Sequence, residues 1–77
     1  MSRLNIMLKS VQDVKDFVRI VNKFPFDIDL SSGRYIVDAK SIMGIFSLDM
    51  TKPIQLECHA DAEQEKALRE QIKQYIA

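Results

Sequence analysis

Residues 26–37 read Phe26-Asp27-Ile28-Asp29-Leu30-Ser31-Ser32-Gly33-Arg34-Tyr35-Ile36-Val37. Phe26, Ile28 and Leu30 alternate with Asp27 and Asp29, the period of two expected of a strand with one buried and one wet face. Ser31-Ser32-Gly33 reads as the turn of a hairpin. Tyr35, Ile36 and Val37, within residues 34–39, suit the returning strand. An antiparallel pair in mid-chain sets the frame that both flanks have to complete.

On the N-terminal side, the apolar stretch at residues 4–8 predicts a first strand, and Ser10 after it is placed to cap a helix. Val14, Val18 and Val21, with Phe17 beside them, recur at helical spacing within residues 11–24, while Asp13, Lys15, Asp16, Arg19 and Lys23 fill the other face. Pro25 is expected to end this helix, because it disfavours helical geometry in the residue before it. On the C-terminal side, Ser41 is placed to cap a short helix of about two turns, which Gly44 weakens. After Pro53, Ile54, Leu56 and Cys58 alternate with Gln55 and Glu57, the pattern of a fourth strand. Asp61 with Gln64 resembles a capping box, and Leu68, Ile72, Tyr75 and Ile76 make an apolar stripe along a last helix.

The predicted order is β-α-β-β-α-β-α. It implies an α+β open-faced sandwich, a four-stranded antiparallel sheet with three helices on one face. Unrelated families share that topology, so it names no function.

Composition narrows the classes. A chain of 77 residues is read as a single domain spanning residues 1–77. Hydrophobic residues at 47% and charged residues at 29% are globular proportions. Eleven Lys and Arg balance eleven Asp and Glu, so no global positive field draws in nucleic acid or anionic lipid. The lone cysteine, Cys58, cannot form an internal disulfide, and a reducing cytoplasm is the expected setting. Residues 1–9 hold no signal-peptide run, and no stretch approaches the roughly 20 apolar residues of a membrane span.

The segment Asp38-Ala39-Lys40-Ser41-Ile42-Met43-Gly44-Ile45-Phe46-Ser47-Leu48 resembles the regulatory-serine region of the HPr phosphocarriers of Gram-positive bacteria, where a Lys-Ser-Ile-Met-Gly run is followed by a Ser-Leu pair. Element order, length and the acidic start of the last helix agree with that family along nearly the whole chain. The resemblance implies a protein of the sugar phosphotransferase system with no enzymatic activity of its own and no cofactor. It further implies that Ser41 is phosphorylated by a regulatory kinase, and that Ile42, Met43 and Phe46 form an exposed apolar patch for protein partners. Those partners would be an HPr kinase, enzyme I-like proteins or transcription regulators.

The family's other signature, Gly-aliphatic-His-Ala/Thr-Arg-Pro-Ala where the first strand meets the first helix, is replaced by Lys9-Ser10-Val11-Gln12-Asp13-Val14. Ser10 stands at the phosphorylated histidine, Gln12 at the arginine and Asp13 at the proline. The only histidine, His59, is expected to lie exposed at the end of the fourth strand, at the opposite edge of the sheet from Ser10. A serine hydroxyl has no comparable nucleophilicity without a nearby base, and its phosphate ester is too stable for easy onward transfer. Two readings follow: a regulatory or binding protein that carries no phosphohistidine, and a transfer participant using a non-histidine acceptor such as Ser10. Ser41 likewise has two readings, capping alone or capping with phosphorylation.

Metal binding is not expected. Cys58 and His59 are adjacent on a strand and point to opposite faces, and the Asp27 and Asp29 pair lacks a ligand-rich loop.

Overall fold

In the computed structural model, which describes residues 2–77, the elements follow in the expected order. They are β1 (Ser2–Ile6), α1 (Val11–Val21), β2 (Ile28–Ser32), β3 (Tyr35–Asp38), α2 (Ile42–Phe46), β4 (Ile54–Cys58) and α3 (Ala62–Ile72), with a 3-10 turn at Lys73–Tyr75. The strands form one antiparallel sheet in the order β1-β4-β2-β3. The register aligns Leu4, Leu56, Leu30 and Val37 across all four strands, and Ile6 with Ile54. Because side chains alternate along a strand, these residues all face the helices.

The other face is open to solvent. It carries Asn5, Gln55, Ser31 and Ile36 in one row and Arg3, Glu57, Asp29 and Asp38 in the next. The chain is thus an α+β open-faced sandwich with its helices on one face. Its core takes Val14, Phe17 and Val21 from α1, Ile45 from α2, Leu68 and Ile72 from α3, and the inward strand residues. Phe17, with no exposed surface, meets Tyr75 edge-on with ring centroids 5.8 Å apart.

Four boundaries differ from the sequence-based expectation. β1 runs from Ser2 to Ile6 instead of over residues 4–8. Its ladder stops at the Ile6 and Ile54 pair, since Pro53 before Ile54 has no N–H to continue it. The Met7 N–H turns away to the Tyr75 carbonyl at 2.7 Å, although Leu8 is still buried. Helix α1 ends at Val21, well before Pro25. The Asn22 side chain donates to the Val18 carbonyl at 2.8 Å, and the Lys23 and Phe24 N–H groups bond back to Ile20 and Val21, closing the helix in a tighter turn.

Ser31 and Ser32 belong to β2, and the turn is Gly33-Arg34, closed by the Ser32 and Tyr35 pair. Gly33 sits at φ 59°, the left-handed conformation that short hairpins require and that glycine adopts without strain. Ile76, expected on the stripe of the last helix, lies beyond it and bridges to Ile6. Gly44 does not prevent α2. It lets the helix close on β3, since a Cβ there would stand 3.2 Å from the Val37 Cβ.

The capping box of α3 is formed: the Gln64 N–H donates to Asp61 at 2.8 Å, and the Asp61 N–H donates to the Gln64 side chain at 3.3 Å. Substituting Asp61→Ala should cost about 0.5–2 kcal/mol in urea unfolding, with Asp61→Ser recovering most of it. Glu65 and Arg69, four residues apart on α3, also pair at 3.2 Å.

Burial, and next the Glu65 carboxylate, push the Cys58 thiol above its ordinary value of 9.0. Burial, and then the Asp16 carboxylate, push the Tyr75 phenol up as well. Both groups are held neutral in the folded chain, so their stabilisation is complete below the ordinary thiol value and is lost as pH rises through the raised ones. The melting temperature should therefore fall above about pH 9, and less steeply in Cys58→Ala.

Candidate functional site

Two serines mark helix starts. Ser10 adopts an extended backbone (φ −148°, ψ 167°) and its hydroxyl accepts the Asp13 N–H at 3.1 Å, the geometry of an N-cap. The Asp13 carboxylate reaches back to accept the Lys9 N–H at 3.0 Å. Of the N–H groups at the start of α1, that of Asp13 thus already has an acceptor from the chain itself. Gln12 is engaged along the helix, its side-chain amide donating to Asp16 at 3.0 Å.

Leu8, Lys9, Ser10 and Val11 share a shallow open depression with residues 48–51, the loop after α2. In that loop the Thr51 hydroxyl, and then its N–H, hold the Asp49 carboxyl below the usual carboxylate range, so Asp49 is ionised at neutral pH. A phosphoryl group on Ser10 would lie near the Asp13 carboxylate, in a depression that Lys9 and Asp49 also line and to which no Arg contributes the guanidinium fork that suits phosphate.

His59 is exposed at the end of β4, as expected, but its place needs correcting. β4 is an interior strand, so the separation from Ser10 runs along the strands and not from edge to edge. β1 and β4 pair Ile6 with Ile54 and Ser2 with Cys58, which puts Ser10 beyond one end of the sheet and His59 beyond the other. The His59 Nε2 lies 2.9 Å from an Asp29 oxygen on the open face, in a depression shared with Asp27 and Asp38. Cys58, its neighbour, points into the core. Among the described residues no three His, Cys, Asp or Glu side chains are grouped to hold a metal ion.

Ser41 caps α2 from an extended backbone (φ −103°, ψ 109°), its hydroxyl accepting the Gly44 N–H at 3.2 Å, and its side chain is exposed. The preceding Lys40 ammonium donates to the Phe24 carbonyl at 2.6 Å, which fixes the approach to the helix. On α2 itself Met43 is 77% exposed and Phe46 39%, whereas Ile42 is half-buried and packs against the core. Sequence reasoning passed over Val11, 56% exposed beside Ser10. Its place as the first residue after the cap, ahead of the buried positions of α1, was the available signal. Among the described residues no helix is long and apolar enough to cross a membrane.

Comparison with known proteins agrees with this geometry. The family model described as "PTS HPr component phosphorylation site" matches residues 12–77, a stretch that begins just after Ser10. Among solved structures, HPr-C-His from Thermoanaerobacter tengcongensis is similar at 30% identity and a TM-score of 0.74, covering 95% of this chain and 92% of its own. Phosphocarrier protein HPr from Bacillus anthracis str. Ames is similar at 28% identity and 0.69, covering 92% and 93%. Crh, the catabolite repression containing protein of Bacillus subtilis, described as a swapped, intertwined dimer, is similar at 28% identity and 0.65, covering 100% and 92%. A search of curated proteins finds no match. With the family model spanning most of its length and the solved relatives sharing its fold, this chain belongs to the HPr family of the phosphotransferase system.

Proposed function

We propose that this HPr-family chain is a cytoplasmic regulatory or binding protein that carries no phosphohistidine and acts through Ser41 and the apolar surface of Met43 and Phe46. The observation that carries this reading is the division of labour at the start of α1. The position of the family's acceptor holds a serine whose hydroxyl caps the helix, while the only imidazole lies beyond the far end of the sheet. A carrier needs an imidazole nitrogen as nucleophile and a labile phosphoramidate as product. Ser10 supplies neither.

Ser41 is suited to a regulatory role by its exposure and by the residues that follow it. A phosphate adds about −1.5 to −2 charges close to Met43 and Phe46, on a short helix steadied by Ile42 and Ile45. At an exposed cap such a charge is worth about 0.3–1 kcal/mol, so the fold persists while the docking surface changes character. Exposed Met and Phe side chains suit an adaptable, weak interface with another protein. The naming of Crh for catabolite repression supports a role of this kind.

The test is intact mass after incubation with an HPr kinase. One phosphoryl group is expected, absent in Ser41→Ala, with the melting temperature little changed. A chain left unmodified by the kinase would remove Ser41 from the proposal.

A further inference from the structure

We propose that the free edge of β3 is a self-association surface, on which a second copy of this chain pairs antiparallel about Ile36 and extends the sheet from four strands to eight.

The sheet has two edges, and the chain treats them differently. The outer edge of β1 is covered at its Asn5–Met7 end by the chain's own C-terminal residues: the Met7 N–H donates to the Tyr75 carbonyl at 2.7 Å, the Ala77 N–H donates to the Asn5 carbonyl at 2.8 Å, and Ile6 and Ile76 bridge. At the other edge β3 has β2 on one side and no strand on the other. Proteins usually blunt such an edge with Lys, Pro or a bulge. Tyr35–Asp38 contains none of these, and its Tyr35 and Ile36 are 69% and 71% exposed.

The direction of the backbone groups follows from the register. The Ala39 N–H donates to the Ile28 carbonyl at 2.9 Å, continuing the ladder in which Val37 faces Leu30 and Tyr35 faces Ser32. Bonded positions alternate along an antiparallel strand, so Tyr35, Val37 and Ala39 bond to β2 while the N–H and C=O of Ile36 point outward.

The segment Arg34-Tyr35-Ile36-Val37-Asp38 is complementary to itself when reversed. Antiparallel pairing centred on Ile36 sets Ile36 against Ile36 of the second copy at an outward-bonding position. Tyr35 then faces Val37 of the second copy on the helix side, and Arg34 faces its Asp38 at both ends. Shifting the register by two residues breaks both charge pairs. Within one chain, among the described residues, no ion pair involves Arg34, and Asp38, whose carboxylate accepts the Lys40 N–H at 2.9 Å, has no cationic partner and lies directly across from Asp29 in β2. An Arg34 side chain from the second copy would offset that like-charge contact. The contact is small and polar at its ends, so the dimer is weak, with Kd of the order of 0.1–1 mM. No element is exchanged between copies.

Analytical ultracentrifugation and NMR over about 0.02–2 mM test the proposal, a span that brackets the expected Kd. The sedimentation coefficient should rise with concentration. Protection of the Ile36 amide from exchange should rise with it, while Val37 stays protected throughout. Arg34→Asp should weaken association about tenfold or more, and the double variant Arg34→Asp/Asp38→Arg should restore it, both keeping the spectrum of the folded monomer. A monomer at every concentration would overturn the proposal. So would a dimer indifferent to Arg34→Asp, or one persisting on dilution as an exchanged-strand dimer does.

Discussion

Phe17→Ala should lose about 3–5 kcal/mol, the largest single loss expected in this chain. A domain of this length has roughly 4–11 kcal/mol in all, so the variant should lose a large share of its stability and unfold at a much lower temperature. Phe17 has no exposed surface and sits midway along α1, where it meets Tyr75 edge-on and joins the helix layer to the C-terminal turn. Its loss removes apolar burial, the ring pair and the fill of a core with few residues to spare. Phe17→Leu, which keeps most of the volume, should cost less than half as much. Urea unfolding measures both, and a loss below about 1 kcal/mol for the alanine variant would mean that the helix layer is not held by this residue.

The second large effect is a gain. Replacing Ser10→His, Gln12→Arg and Asp13→Pro together should turn the chain, proposed here to take no phosphoryl group from enzyme I and phosphoenolpyruvate, into one that does. Ser10→His alone should do so poorly. The Asp13 carboxylate would remain at the start of α1, bonded to the Lys9 N–H, and repel the incoming phosphate. No guanidinium would balance the new charge. Pro at the position of Asp13 removes that carboxylate, and its missing N–H is one the helix start can spare. Equal acceptance by the single and triple variants would show that the surrounding charges do not matter.

Much of this architecture was legible in the sequence because each element carries a local signal that tertiary packing does not override. The alternation at Ile28 and Leu30, the helical spacing of Val14, Phe17 and Val21, and the Asp61–Gln64 cap all form where the pattern puts them. The boundaries that moved are those set by distant partners. β1 stops at Ile6 because Pro53, far along the chain, opens β4, and α1 stops at Val21 because the Asn22 amide finds the Val18 carbonyl.

The candidate site was legible in part. Ser10 and Ser41 cap their helices as short polar residues before an apolar run should, and Met43 and Phe46 are exposed. That Ile42 leans into the core depends on the angle at which α2 meets β3, set by the close approach at Gly44, which spacing alone does not encode. Nor does the sequence place residues 48–51 beside Ser10. The free edge of β3 also depends on strand order, which a list of elements leaves open.

One measurement bears most directly on whether this scaffold has given up phosphoryl transfer: mass spectrometry of the unaltered chain after incubation with enzyme I and phosphoenolpyruvate, beside an HPr protein that carries the histidine. The histidine carrier should gain one acid-labile phosphoryl group while this chain gains none. An acid-labile group appearing on it, and passing from it to a sugar-permease subunit, would contradict the account.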